Sequence, residues 1–346
     1  MGDELWPGLA GAGLGFLVSW AGTWLVMRAV EHWQILDRPG QRSVHRRPMP
    51  TLGGLGVILG FWVGLSVLVF AEFPIFIENA LWAQLGATLA LLLIACDEAR
   101  RPLGVLEKLA IQVGATSVWL YWGVHLEWVP LPLVGQVELG SWGWAITGLW
   151  CVGMCNVYNF MDGIDGITSL ETIVVGCLAF LSLAQLDAPL WGMALLLVAV
   201  SGGFLAFNFP PARIFAGDVG AGFLGFTLAI LGVLGERAGL PIWLYLTFLG
   251  YYLFDVSYTL LRRALKGENL LQAHRKHLYQ RLNKLGWCHL KINLWICCLT
   301  LTMGLGAWIF LFVDEISGAA LGLLGGGLVL GTTIWIEAKD RDFGSG

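Results

Sequence analysis

"WGWAITGLWCVGMCNVYNFMDGIDGI", residues 142–167, has two unlike halves. Residues 142–155 carry no charge, and a bilayer core takes ~20 apolar residues of helix. From Asn156 onward the chemistry changes: Asn156, Asn159, Asp162 and Asp165 fall at every third position, with Gly163 and Gly166 among them. The run 142–160 therefore reads as a membrane span whose last turns become polar. On a helix, a step of three rotates by about 300°, so Asn156, Asn159 and Asp162 form one slowly turning stripe. The glycines then favour an irregular backbone where amides approach a ligand. Asparagine is a poor choice for headgroup solvation alone, and polar groups at membrane depth are functional by default. A calcium loop of the EF-hand kind wants acids at alternate positions and a distal Glu, and neither is present.

The same pattern runs through the chain. Of its 346 residues, 57% are hydrophobic and 13% charged, against about 25% charged in soluble domains. Eleven apolar segments are long enough to be candidate spans: 7–29, 52–71, 79–96, 109–124, 142–160, 170–186, 189–207, 219–235, 239–261, 292–313 and 317–336. The expectation is an all-α polytopic membrane protein, one integral-membrane domain over 1–346. The first run is too long for a signal-peptide core and lacks a basic segment before it, so it reads as a span. The alternation in VGQVEL, within the connection 125–141, predicts a short hairpin. The seven cysteines lie mostly in apolar runs without a CxxC, so neither disulfides nor zinc are expected.

Lysine and arginine set the orientation. Nineteen of the twenty fall in one set of loops, and the other side has only Arg237. The basic side reads as cytoplasmic, with the N-terminus periplasmic and the C-terminus cytoplasmic, which needs an odd number of spans. The acids and histidines were not used in that assignment, yet they gather on the same side. Asp97 and Glu98 end the third span, Asn208 and Asp218 follow the seventh, His274 and His277 follow the ninth, and Arg42, His45, Arg46 and Arg47 follow the first.

Each cluster has an ordinary alternative. Asp218, in FNFPPARIFAGDVGAGFLG (207–225), is either an N-cap or a ligand for Mg²⁺, which takes one or two carboxylates plus substrate phosphates. Asp97 and Glu98 are a terminated helix paired to nearby arginines, or acids that manage a metal or a phosphate. His274, Arg275 and His277, in AHRKHLYQRL (273–282), bind lipid headgroups or form an anion pocket. The loop RSVHRRPMPTLGGLG (42–56) is topogenic or a clamp for an anion. Asp255, inside the ninth span, pairs with an arginine one or two turns on or reaches the site. Together, carboxylates and cations on one membrane face ask for phosphate chemistry with a divalent metal, which is mostly positioning and charge stabilisation.

The ordered set NxxNxxDGxDG, FNxPPAxxFxGDxG and a histidine loop resembles the polyprenyl-phosphate N-acetylhexosamine-1-phosphate transferases, from about Arg42 to Arg281. That family includes initiators of O-antigen and teichoic acid and the related phospho-muramoyl-pentapeptide transferase. The resemblance implies transfer of a sugar-1-phosphate from a UDP-N-acetyl-sugar to undecaprenyl phosphate in the bacterial inner membrane, with release of UMP. It implies Mg²⁺, or Mn²⁺ in its place, and a homodimer; no nucleic-acid partner is expected. By matching position Asp218 is the metal ligand and Asp97 the acid at the lipid phosphate. Asn159, Asp162 and Asp165 match the nucleotide-facing motif, with Asn156 also expected to bind substrate and Asp162 also expected in the catalytic set. Asn208 matches a nucleotide-contacting asparagine, and His274, Arg275 and His277 match a loop that engages diphosphate and sugar. Two departures stand out. Glu98 replaces the usual second Asp, and HRKH replaces the three-histidine run of the muramoyl branch, which disfavours the cell-wall substrate. N-acetylglucosamine and 6-deoxy sugars such as N-acetylfucosamine or N-acetylquinovosamine remain open as donors, and the FMDGIDG form leans to the O-antigen type. A transporter would place polar groups near the midplane in repeated broken helices, and a non-catalytic lipid-binding protein would not need acids beside the bases.

Overall fold

The computed structural model describes residues 2–37, 48–73, 78–98, 103–131, 135–272 and 274–344. The described residues form thirteen helices and two short antiparallel pairs of strands. The helices are α1 (Gly2–His32), α2 (Gly54–Phe70), α3 (Glu78–Glu98), α4 (Val105–Tyr121), α5 (Trp142–Met161), α6 (Ile167–Gln185), α7 (Trp191–Asn208), α8 (Gly217–Arg237), α9 (Ile242–Phe248), α10 (Gly250–Leu265), α11 (Leu278–Lys284), α12 (His289–Phe312) and α13 (Glu315–Gly344). With no water in a bilayer core to take backbone hydrogen bonds, helices satisfy their own. Six of them are long and apolar enough to cross a membrane: Leu5–His32, Ile167–Gln185, Trp191–Asn208, Gly217–Arg237, His289–Phe312 and Glu315–Asp340. The chain is a multi-pass membrane protein.

The core is centred on α8, in which every residue from Val219 to Glu236 is buried. It packs on α5, α3 and α2. Contact with α5 is close because position 225 is glycine: a Cβ there would lie 2.4 Å from Met154 O. Small residues are what let membrane helices approach in this way. The approach brings the C-terminal end of α5 beside the N-terminal end of α8.

The expected ninth span, 239–261, is not one helix. It breaks at Leu249 into α9 and α10, and α10 runs on to Leu265. Tyr251, Asp255, Thr259 and Arg263, spaced by four, form a buried stripe along α10. A hydropathy pattern treats such a stripe as a helix end; in the fold it faces inward because α11 and the preceding loop supply its partners. The predicted hairpin is present: β3 (Trp128–Leu131) pairs with β4 (Gly135–Glu138), Val129 opposite Val137. A second pair, β1 (Leu36–Asp37) with β2 (Met49–Pro50), was not expected. It joins the chain on either side of 38–47.

Candidate active site

The site forms where α4, α5 and α8 meet. Asp218 sits in the first turn of α8, where helix amides and dipole favour negative charge. Its Oδ1 accepts a hydrogen bond from Asn159 Nδ2 at 2.6 Å. Its Oδ2 is paired with the ammonium of Lys108, from the first turn of α4. Both charged side chains keep some exposure, 30% for Asp218 and 24% for Lys108, so a ligand has access to the pair. One turn along α4 from Lys108, Gln112 Oε1 accepts from Asn156 Nδ2 at 2.7 Å. Thus two members of the asparagine stripe are fixed by two other helices.

Asp162 closes α5 as its C-cap residue and accepts from Thr168 Oγ1 at 2.9 Å. Burial pushes its carboxyl up to about 7, with the charges of Asp218 and Asp165 adding to the rise and the Thr168 hydroxyl opposing it. A site that crowds carboxylates in this manner favours a cation beside them.

Asp165 and Asn208 face the protein's own backbone. Asp165 Oδ2 accepts from Ala212 N at 3.1 Å and lies 3.2 Å from His289 Nδ1. Asn293 Nδ2 donates to Asp165 O at 2.7 Å. Asn208 Oδ1 accepts from Gly166 N, and its Nδ2 donates to Ile214 O, each at 2.9 Å. These bonds lock the α5–α6 loop to the α7–α8 loop, so Asp162 and Asp218 are carried on one braced unit. Gly163 serves the same brace. Tyr279 OH donates to Phe160 O at 3.0 Å, and a Cβ at position 163 would lie 2.1 Å from that hydroxyl.

The histidine loop comes down on this unit from α10. Among the described residues Asp255 bonds no arginine and reaches the histidine loop of the site instead. It accepts from Leu278 N at 2.9 Å, Tyr279 N at 3.1 Å and Thr259 Oγ1 at 3.1 Å, and lies 3.1 Å from His277 Nδ1. Asp255 therefore holds the start of α11 and fixes the His277 ring through one nitrogen. The His274 ring lies 4.9 Å from that of His277. Burial, then the charges of His277, Arg263 and Lys276, lower His274 to about 4, so it is a neutral ring at neutral pH. Arg275 Nε is buried without a hydrogen-bond partner among the described residues. Arg263, 3% exposed, ties the loop together: it bonds Glu268 at 3.1 Å and the carbonyls of Leu270, Asn269 and Gln272. Lys276 and Arg263 hold the Glu268 carboxyl below its usual range.

Asp97 and Glu98 end α3, which packs on α4; their side chains lie outside the described residues. Arg42, His45, Arg46 and Arg47 lie wholly outside them. Among the described residues, no three or more His, Cys, Asp or Glu side chains group to hold a metal by themselves. The donors present, the Asp218 and Asp162 carboxylates and the Asn159 amide oxygen, are hard oxygens that suit Mg²⁺ bound jointly with phosphate. Sequence reasoning missed Lys108, Gln112, Thr168, His289 and Asn293. Lys108 was counted among the loop cations, but its partner lies 110 positions away.

Comparison with known proteins places the chain in a family. The family model for glycosyl transferase family 4 matches residues 81–236, the segment that holds Lys108, Asn159, Asp162 and Asp218. The probable undecaprenyl-phosphate N-acetylglucosaminyl 1-phosphate transferase of Bacillus subtilis is 31% identical, over 73% of this chain and 71% of its own. The chain belongs to the polyprenyl-phosphate N-acetylhexosamine-1-phosphate transferase family. It is an enzyme that transfers sugar-phosphate. Within this transferase family, the decaprenyl-phosphate N-acetylglucosaminephosphotransferase of Mycobacterium tuberculosis (strain H37Rv) is 28% identical, over 88% of this chain and 82% of its own. The phospho-N-acetylmuramoyl-pentapeptide-transferase of a Synechococcus species is 30% identical, over 82% and 86%.

Proposed function

We propose that the chain transfers N-acetylglucosamine-1-phosphate from UDP-N-acetylglucosamine to undecaprenyl phosphate at the cytoplasmic face of the bacterial inner membrane. The observation that carries the proposal is the meeting of Asp218 with Asn159 and Lys108 beside Asp162. A carboxylate that keeps solvent access, an amide and an ammonium are the groups a diphosphate and a hard cation need. The names of the Bacillus and Mycobacterium relatives favour N-acetylglucosamine as the sugar, and HRKH in place of three histidines disfavours the muramoyl substrate. The product would prime a lipid-linked glycan of the O-antigen type, the use that the FMDGIDG form favours.

In this reading an oxygen of the lipid phosphate attacks the β-phosphorus of the donor. A new phosphorus–oxygen bond forms, the bond from the β-phosphorus to the bridging oxygen breaks, and UMP leaves with that oxygen. No strong base is required, because the second pKa of a phosphate monoester is near 6. Asp97 orients the lipid phosphate, with Glu98 beside it. Asp218 and Asn159, with Asp162, would hold the metal together with the donor's phosphates. When bound, Mg²⁺ supplies charge neutralisation on the diphosphate. Lys108 transfers its charge from Asp218 to the phosphates. His274, Arg275 and His277 engage the donor's diphosphate and sugar, and Arg42, His45, Arg46 and Arg47 clamp an anion from the first loop. Asn208 and Asp165 act through the brace between the two loops.

The architecture fits this assignment as one membrane domain with eleven crossings, α9 and α10 together making the ninth. The N-terminus is periplasmic, the C-terminus cytoplasmic, and the protein pairs as a homodimer. The decisive experiment is UMP release by the purified protein with undecaprenyl phosphate across a panel of UDP-N-acetyl-sugars, with and without EDTA. Release with UDP-N-acetylglucosamine that needs both lipid and Mg²⁺ is expected. A folded protein that releases UMP without lipid, or with EDTA present, would sink the mechanism. Release only with another sugar would replace the donor.

A further inference from the structure

We infer that Glu337, on the last helix, is a positioning residue that closes the two stems of the loop carrying His274, Arg275 and His277. The inference rests on the proposed transferase reading for what the loop does, and on geometry for how it is held.

The loop leaves α10 after Leu265 and returns at Leu278, the start of α11. One stem is the end of α10, the other is α11. Glu337 grips both. From α10, Arg262 Nε lies 3.1 Å from Glu337 Oε1, and Tyr258 OH donates to Oε1 at 2.7 Å. From α11, Arg281 Nη1 donates to Oε1 at 2.6 Å. Asp340, one turn further along α13, takes Arg281 Nη2 at 2.7 Å. Arg281 is only 3% exposed, so its guanidinium has left bulk water and depends on these two acids. The connection to the site is short: Arg281 N donates to His277 O at 2.9 Å, one turn back.

Apolar packing does not do this job. α13 packs chiefly on α12. Between α10 and α13 there is a cleft of about 460 Å³, lined by Phe254, Tyr258, Leu330, Thr333 and Ile334, with Glu337 among its walls. The charged staple is thus the principal tie between the last helix and the stems. Removing its centre leaves two arginines without their shared partner and frees the stems to separate. A shift of about 1 Å in a group that positions substrate costs up to 10²-fold in rate.

The test compares Glu337→Gln with the parent protein in nanodiscs by two independent measurements. Steady-state UMP release is followed while donor and lipid are varied separately, and hydrogen exchange is followed over residues 266–277. For Glu337→Gln, kcat/KM for UDP-N-acetylglucosamine is expected to fall roughly tenfold to a hundredfold. The KM for undecaprenyl phosphate should hold even where the melting temperature falls, and exchange should accelerate in 266–277 while α12 keeps its protection. Glu337→Asp, which retains the charge, should recover part of the loss. Asp340→Asn should give the same pattern at smaller size, and serves if Glu337→Gln does not fold. Unchanged donor kinetics would overturn the inference. So would an equal fall in donor and lipid parameters together with a lower melting temperature, which marks a purely structural role. If the parent protein releases no UMP, the transferase reading fails separately; exchange in 266–277 still decides whether Glu337 holds the loop, and unchanged exchange overturns it.

Discussion

Helix α8 carries acidic groups at both ends, and the two ends use them differently. At the N-terminal end Asp218 meets an ammonium and an amide from two other helices and remains 30% exposed. At the C-terminal end Glu236 is 2% exposed, and its carboxylate accepts the backbone N–H of Ile242. Its neighbour Arg237 donates to Gly123 O at 2.7 Å and to Glu127 at 3.0 Å, pinning the segment that leads into the β3–β4 hairpin. One end collects side chains from two other helices around an accessible carboxylate. The other spends its charges on backbone that must turn. Charge at a membrane helix end is therefore a weak guide to function; what the neighbours leave free for a ligand is a stronger one.

The comparison breaks first at Asp218. Asp218→Ala is expected to lower turnover on the order of 10³-fold or more, because in the proposed mechanism the charge stabilisation it anchors acts on the transferring phosphoryl group. The protein should elute and melt as the parent does. Near-normal UMP release would remove Asp218 from the site. Asn159→Ala and Lys108→Ala come next, with an expected loss of roughly 10–100-fold each. They should separate in kind: Asn159→Ala raises the Mg²⁺ concentration for half-activity, while Lys108→Ala raises the donor KM. The same metal dependence and donor KM in both variants as in the parent would leave Asp218 without working partners.

The two ends were not equally legible in the sequence. The long apolar runs made the helices readable, and Asp218 stood out because GDVG follows an apolar span on the basic side. Three-residue spacing in NVYNFMD put the asparagines on one stripe, and in the fold they do face α4 and α8. What they touch was hidden, since Lys108 and Gln112 read as an ordinary loop cation and a polar residue in a weak span. The break at Leu249 was hidden for a related reason: the partners of Asp255 and Arg263 lie in a loop that returns only after the helix ends. Glu337 bonds residues 56 to 79 positions earlier, beyond the reach of any local pattern.

Acid crowding at the functional end gives a smaller effect. The Asp162 carboxyl is raised from 3.8 to about 7 by burial, with Asp218 and Asp165 adding to it. Between those values the folded protein holds a proton that the unfolded chain has lost. The stability of the metal-free protein should therefore fall as pH rises from about 4 to about 7. A cation competes with that proton, so Mg²⁺ affinity should rise through pH 7 and Mg²⁺ should flatten the stability slope. Melting curves against pH, with and without Mg²⁺, test both. Asp162→Asn should lose the slope, and a slope that survives would assign it to another group.

The smallest effect on turnover is expected at the other end of α8. Glu236→Gln keeps an oxygen acceptor for Ile242 N–H and replaces the carboxyl by an amide. A net hydrogen bond is worth about 1 kcal/mol. Glu236→Gln should therefore lower the melting temperature modestly while kcat and both KM values stay within about twofold, as for a substitution away from the chemistry. Arg237→Ala should behave alike, loosening the hairpin at Gly123 and Glu127. A large loss of turnover at unchanged stability in either variant would mean that the end of α8 away from Asp218 communicates with the site. The contrast between its two ends would then have to be redrawn as a single mechanical unit.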